Sequence, residues 1–214
     1  SSILVGPEDT LKSILGSLGG QNVSNVSICH ASQVITMADS PSTAIRSKKD
    51  SSLERGYQLV ESGEASALVS AGNTGAMMTI GVIVSGTLPG IVRPAIASLI
   101  PKVGNSPPTV LLDSGANVDC NATQLVQFAV MGSFYAKFIL PCDLPRVALL
   151  SNGTESSKGT DVLRSAAVLL SQMPSINYVG YIEGRDISRN SCDVVVCDGF
   201  VGNVALKTAE GLAS

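Results

Sequence analysis

This chain predicts an α/β fold: three layers, α/β/α, with a largely parallel sheet in the middle. Three observations carry that prediction. Short apolar runs alternate with helix-like stretches almost throughout, which calls for a sheet with helices on both faces. Hydrophobic residues make up 44% of the chain while aromatics are only 4% and Trp is absent, so Val, Ile, Leu and Ala build the core, as in strands buried on both faces. Four glycine-bearing loops each follow an apolar run and open a helix-like stretch. In a parallel sheet such loops share the rim at the strands' carboxyl ends, where ligands bind.

The elements follow in order. Residues 3–5 read as a strand. Pro7 opens a helix reaching about Leu18, with Glu8 and Asp9 in its first turn and Gly19-Gly20 stopping it. Residues 26–29 are a second strand. Ser40-Pro41 is a cap followed by a proline at the first helical position. Ser51 and Ser52 open a helix that ends near Gly63. Residues 67–70 read as a buried strand and 73–85 as an apolar helix. Strands at 95–100 and 110–113 flank a Pro-rich link, Asn105-Ser106-Pro107-Pro108. Residues 121–139 form a long helix on which Leu125, Phe128, Ala129, Gly132 and Tyr135 keep helical spacing. Strands at 147–150, 178–181 and 194–197 and helices from Thr160 and from Asn203 complete the pattern.

At 214 residues the chain can hold one sizeable core or two modest lobes. Charged residues are sparse at 14%, and the mean hydropathy is +0.32. A surface this oily is covered in part by a partner or touches lipid. The net charge is −3 with no Lys/Arg run, which argues against a nucleic-acid surface. The five cysteines are odd in number and scattered, and fit buried thiols of a reducing compartment better than a disulfide framework. There is no C-x-x-C, and His30 is the only histidine, so neither a zinc site nor a Ser-His-Asp triad has support. No residue set calls for a metal or a cofactor. The longest oily run, residues 77–84, is too short to span a bilayer.

The familiar nucleotide motifs are also missing. No glycines are spaced G-x-G, and in the run from Gly153 to Gly159 the Lys precedes the Gly, so neither a dinucleotide fingerprint nor a Walker A loop is present. What remains is Lys, Asn, Asp, Glu, Ser, Thr and backbone amides, a vocabulary suited to positioning and charge stabilisation. The four loops are Ala71-Gly72-Asn73-Thr74-Gly75, Asp113-Ser114-Gly115-Ala116-Asn117, Ser151-Asn152-Gly153-Thr154-Glu155-Ser156-Ser157-Lys158-Gly159 and Asp198-Gly199-Phe200-Val201-Gly202-Asn203. Helix-start amides favour anions, so Asn and Lys at such tips point to a site for a phosphate-like ion and a polar carbonyl.

At these loops, and at His30-Ala31-Ser32-Gln33, Asp39-Ser40-Pro41, Pro89-Gly90-Ile91-Val92-Arg93-Pro94, Asp119-Cys120, Gln127-Phe128-Ala129 and Glu183-Gly184-Arg185-Asp186, the sequence resembles the bacterial phosphate acyltransferase (PlsX) family of phospholipid synthesis. The match runs in order along almost the whole chain. The resemblance implies a reaction in which an acyl group passes from acyl carrier protein to inorganic phosphate, giving acyl phosphate for phospholipid synthesis. It further implies a fold similar to isocitrate/isopropylmalate dehydrogenases, a homodimer, a cytoplasmic location and loose contact with the inner face of the cell membrane. Residues 1–214 would then be a single α/β domain without the family's N-terminal strand and loop and without its C-terminal portion. Ser114 stands where an apolar residue is expected, and Thr154 where a second acid is common.

For that chemistry Lys158 is the expected phosphate-binding cation, and Asn203, at a helix N-terminus, the donor to the thioester oxygen. Gly72, Asn73, Thr74 and Gly75 would cradle phosphate. Asp113, Asn117, Glu155, Asp198 and Gly199 complete the substrate-binding set. Plainer roles stay open: Asn73, Asn117 and Asn203 as helix caps, the glycines as tight turns, Asp113 and Asp198 as holders of loop amides, and Glu155 as a surface partner of Lys158. Arg46, Lys48 and Lys49 read as a solvated face or a guide for an acidic carrier protein. Cys120 and Cys197 read as buried thiols rather than nucleophiles. A phosphotransacetylase-like use of acyl-coenzyme A and a non-catalytic membrane-associated scaffold are the rival functions. A decarboxylating dehydrogenase of the similar fold is a weaker third, lacking dinucleotide and metal-ligand signatures.

Overall fold

A computed structural model describes residues 1–19, 24–140 and 142–213. Its contacts divide the chain into two compact units, Ser1–Leu88 and Pro89–Ser214. Residues 1–214 were read as one domain; the division takes the other option that the length allows, two lobes.

In the first unit β1 (Ser2–Gly6) and β2 (Val26–His30) pair in parallel around α1 (Glu8–Ser17). Three helices follow: α2 (Pro41–Ser47), α3 (Ser52–Glu61) and α4 (Thr74–Ser85). Each start is chemically marked. Pro41 opens α2, the Ser51 hydroxyl accepts from the Glu54 N–H, and Asn73 Oδ1 accepts from the Ala76 N–H at 3.0 Å. Ile45, Leu53, Ala76 and Ile80 pack into one buried cluster. Residues 67–70, expected as a buried strand, are irregular, and Val69 is 94% exposed. A strand needs a ladder to satisfy its amides, and among the described residues β1 and β2 pair only with each other. The second glycine of the expected stop after α1, Gly20, lies outside the described residues.

The second unit holds β3 (Ala97–Ile100), β4 (Thr109–Leu112), α5 (Ala122–Phe138), β5 (Arg146–Leu150), α6 (Asp161–Ser171), β6 (Asn177–Ile182), β7 (Val194–Val196) and α7 (Gly199–Ala213). The sheet order is β3-β4-β7-β5-β6. All neighbours are parallel except β3 and β4, which are antiparallel. The sheet is therefore mostly parallel and flanked by helices, as expected.

Side chains alternate between the two faces with the period of two that strands impose. Val110, Leu112, Val147, Leu149, Val194 and Val196 meet Leu125 and Phe128 of α5 and Leu170 of α6. Leu111, Ala148, Leu150 and Val195 meet Ala205 and Leu206 of α7. Each such side chain withdrawn from water contributes about 1.5–3 kcal/mol. Gly132 lets α5 lie close on the sheet, since a Cβ there would come 2.5 Å from Val194 Cγ1.

At the end where β5 begins, Asp193 binds the Arg146 guanidinium at 2.9 Å and the Lys102 ammonium at 3.1 Å. Burial pushes the Asp193 carboxyl up, but the hydrogen bonds from Arg146 and Lys102 outweigh it and hold the group well below the usual carboxylate range.

Candidate functional site

The rim at the carboxyl ends of β4, β7 and β5 carries three of the four glycine-bearing loops, all within the second unit. These strands are parallel neighbours, so the loops leave the sheet on one side, at strand spacings of about 4.8 Å.

Asp113 organises the first loop. Its carboxylate is fully buried and accepts from the N–H groups of Ile96, Gly115, Ala116 and Asn117 and from Asn117 Nδ2, at 2.7–3.1 Å. A carboxylate so occupied is a brace for the loop rather than a contact for substrate. Asn117 is buried too, and its Nδ2 also donates to the Pro94 carbonyl at 2.9 Å. Ser114 sits where an apolar side chain was expected; its hydroxyl donates to the Ile96 carbonyl and lies 2.7 Å from the Ser98 hydroxyl. The Ser114 hydroxyl is thus satisfied within the protein.

The second loop fits onto the first backbone to backbone. Asp198 Oδ1 accepts from the Val201 N–H at 2.8 Å, the bond of an N-cap, and α7 starts at Gly199. The Gly199 N–H donates to the Asn117 carbonyl at 2.7 Å. A Cβ on Gly199 would lie 2.8 Å from the Asn117 backbone, and one on Gly202 only 1.9 Å from the Asp113 carbonyl oxygen. Gly199 was expected in the substrate-binding set, with tight turns as the plainer role for the glycines; both Gly199 and Gly202 lie in α7, where only a residue without a side chain allows this approach. Asn203 consequently sits one turn into α7 rather than at its start, and does not cap it. Its carboxamide is exposed, makes no hydrogen bond and lies against Gly115, where a Cβ would come 3.7 Å from Asn203 Cβ and Cγ. Gly115 has a φ of +143°, a conformation that favours glycine.

The third loop follows β5. The Gly159 N–H donates to Asn152 Oδ1 at 3.0 Å and closes it. Lys158 folds over Gly153, whose added Cβ would lie 2.8 Å from Lys158 Cγ and from Glu155 Oε2. Among the described residues Lys158 and Glu155 form no ion pair with each other or with any other side chain, and both are exposed. The Lys158 ammonium is therefore unneutralised. Between the Asp113 loop and α6 lies a cavity of about 180 Å³ lined by Asp119, Cys120, Thr160, Leu163 and Asp198, among others. Burial first, then Asp113 and Asp198, pushes the Cys120 thiol up to about 11. Cys197 is buried and pushed up for the same reasons. Neither is a ready thiolate at neutral pH.

The fourth loop lies in the first unit. The Asn73 side chain is spent: Oδ1 caps α4, and Nδ2 donates to the carbonyls of Thr36 and Asp39. The Gly72 N–H goes to the Ser70 hydroxyl at 3.1 Å. Only the amides of Thr74 and Gly75 stay open at this helix start. His30 Nδ1 accepts from the Glu8 N–H at 3.3 Å, which gives the lone histidine a structural bond. Among the described residues no group of three or more His, Cys, Asp or Glu side chains could hold a metal ion.

One part of the rim escaped the sequence reading. Because β3 is antiparallel, its start, not its end, lies beside the Asp113 loop, and Pro94 and Ile96 hydrogen-bond into that loop. The signal was present: residues 101–108 between β3 and β4 are too few for the crossover of a dozen or more that parallel pairing needs.

The fold is an α/β architecture similar to that of solved phosphotransacetylases. It matches a EutD phosphotransacetylase from Staphylococcus aureus with a TM-score of 0.69 at 22% identity, over 99% of this chain and 74% of that one. It matches a phosphotransacetylase from Streptococcus pyogenes with a TM-score of 0.72 at 21% identity, over 98% and 73%. The chain belongs to the fatty acid synthesis protein family, whose profile matches residues 1–214. Among curated relatives, it is 52% identical over 210 residues to the phosphate acyltransferase of Citrifermentans bemidjiense, covering 98% of this chain and 58% of that protein. It is 56% identical over 189 residues to the phosphate acyltransferase of Geobacter sp. strain M21, covering 88% and 53%. The chain thus spans a little over half the length of these relatives.

Proposed function

We propose that this protein transfers a fatty acyl group from acyl carrier protein to inorganic phosphate, forming acyl phosphate for phospholipid synthesis. The observation that carries this is the rim of the second unit: an unneutralised Lys158 on the loop after β5 and an unpartnered Asn203 carboxamide in the first turns of α7, which follows the parallel neighbour β7, with no activated nucleophile beside them. The names of the curated relatives point the same way.

The chemistry needs little more. Phosphate is largely ionised near neutral pH, its second pKa being about 6. A phosphate oxygen attacks the thioester carbon, the C–O bond forms, the carbonyl oxygen takes up negative charge, and the C–S bond then breaks to release the carrier's thiolate. The parent thiol has a pKa of roughly 8.5, so departure needs no strong acid. Two tasks remain for the protein. Lys158 holds phosphate and offsets crowded negative charge, and Asn203 donates to the developing oxyanion. Asn117 and the Asp113 brace fix the loop against which Asn203 rests, and Asp198 and Gly199 set the start of its helix. The open Thr74 and Gly75 amides form a second anion cradle in the first unit, with Gly72 and Asn73 shaping it. Glu155 stays near Lys158 to order its loop.

The same reading includes a homodimer on the cytoplasmic face of the membrane. Its support is the exposed apolar surface of the first unit, with Val82, Ile83 and Leu88 at 39%, 61% and 73% exposure; no described helix is long and apolar enough to cross a membrane. The structural likeness to phosphotransacetylases favours coenzyme A as a second candidate donor. One assay separates the readings: incubate the protein with radiolabelled phosphate and either palmitoyl-acyl carrier protein or palmitoyl-coenzyme A, and trap acyl phosphate with hydroxylamine. Product from the carrier protein alone is the expected result. Product from coenzyme A alone reassigns the donor, and none from either donor leaves the scaffold reading.

A further inference from the structure

The charges of the second unit are distributed unevenly between the two ends of its sheet. At the end where β5 begins, Asp193 pairs with both Arg146 and Lys102. Elsewhere Arg164, Arg185, Arg189 and Lys207 each meet a carboxylate of Asp161, Glu183, Asp186 and Glu210 in turn. Lys137 lies 5.9 Å from the centre of the Phe138 ring. Among the described residues of this unit two cations are left without a partner, Lys158 and Arg93, and both stand at the carboxyl-end rim. Arg93 is there because β3 is antiparallel: Ala97 pairs with Leu112, which places the residues before β3 beside the Asp113 loop.

The backbone on either side of Arg93 is pinned. Gln127 of α5 donates to the Gly90 carbonyl at 2.6 Å and accepts from the Val92 N–H at 3.0 Å. Asn117 donates to the Pro94 carbonyl at 2.9 Å. Arg93 is the only charge in residues 89–96. Its charge reaches Cys120, where it opposes the upward push on the thiol. Fixing irregular backbone costs conformational entropy, and a merely solvated surface arginine gains nothing from such fixing. An unpaired guanidinium on a pinned backbone, at the same rim as Lys158, gains a partner when an anion arrives.

We propose that Arg93 binds a phosphate group of a substrate, its planar fork meeting two phosphate oxygens. The proposal rests on the acyl-phosphate reading of this rim. Two sources share that chemistry: inorganic phosphate, and the phosphodiester in the donor's pantetheine arm.

The test uses Arg93→Ala and Arg93→Lys in the whole protein, each with a melting curve to show that it folds. Steady-state rates with each substrate varied in turn give separate KM values, and calorimetry reads inorganic phosphate binding with no acyl donor present. Losing a charge-assisted pair predicts that Arg93→Ala weakens phosphate binding about tenfold to a hundredfold, with KM for the acyl donor unchanged, and that Arg93→Lys recovers part of the loss. A rise confined to KM for the acyl donor assigns the same guanidinium to the pantetheine phosphodiester instead. If Arg93→Ala folds and both KM values and the calorimetric affinity stay within about twofold, well below a charge-assisted hydrogen bond, the proposal is overturned. If no acyl phosphate forms from any donor, yet Arg93→Ala abolishes phosphate binding, the functional reading falls and the assignment of Arg93 stands.

Discussion

Among the described residues neither the Lys158 ammonium nor the Asn203 carboxamide has a hydrogen-bond or ion-pair partner. Asn73, by contrast, spends its whole carboxamide on backbone groups, and Asp113 spends its carboxylate on five donors. Removing an unpartnered side chain leaves no buried group orphaned, so folding should not notice. Lys158→Ala and Asn203→Ala are therefore expected to melt like the wild type while acyl phosphate formation falls about tenfold or more, the lower edge of what loss of a transition-state donor costs; unaltered kcat/KM in both variants would falsify their roles. Cys120 makes the opposite case. With its thiol pushed up to about 11, only about one molecule in a thousand carries a thiolate at pH 8. Cys120→Ser should keep its activity, and iodoacetamide should label Cys120 more slowly than an unfolded control; loss of turnover in a folded Cys120→Ser protein would argue for covalent catalysis.

Helix α7 shows both how much of this fold was legible and where legibility stopped. Apolar runs at 110–113, 147–150 and 194–197 gave strands within a residue of their true ends, because aliphatic runs between glycine-rich loops have few other solutions in a parallel sheet. The Pro41, Ser51 and Asn73 helix starts were legible because caps are local chemistry. The backbone contact at Gly199 and Gly202 was not legible, since a glycine demanded by a contact from residues 113–117 looks the same in sequence as one demanded by a turn. The strand expected at 67–70 failed for a similar reason: apolar composition says nothing about whether a partner ladder exists. Loop composition singled out Lys158, Asn203 and the Asp113 loop, while the position of the segment before β3 beside that loop was hidden by the assumption of parallel pairing. The α7 contact gives a direct test. Gly202→Ala would put a methyl group 1.9 Å from the Asp113 carbonyl oxygen, so α7 must shift. Overpacking of this kind costs about 1–3 kcal/mol or more. A lower urea midpoint together with lost turnover is expected, and a variant with wild-type stability and rate would show that α7 does not sit where described.

The protein as a whole carries acidic groups whose ionisation is tied to folding, in both units. In the first, the Lys48 ammonium, then the N–H and hydroxyl of Thr36, hold the Asp39 carboxyl at about 2. The hydroxyl and N–H of Ser32, then Arg55, hold Asp50 lower still. In the second, Asp193 is held down by Arg146 and Lys102 against the effect of burial. Unfolded, such carboxyls titrate near about 3.9. Below that pH the unfolded chain binds more protons than the native one, so the stabilisation is present above about pH 4 and is lost as pH falls toward about 2. Urea midpoints should stay level from pH 7 to about 5 and drop steeply below about 4; a midpoint that holds at pH 3 would mean these pairs contribute nothing. The meeting of Gly199 and Gly202 with residues 113–117 has a further consequence, for how such a protein can diversify. Where main chain rests on main chain there is no side chain to exchange, and natural variation has nothing to act on. Change is easier around this seam, where the exposed Thr154-Glu155-Ser156-Ser157 segment carries side chains that solvent can accommodate, while the seam itself keeps one shape.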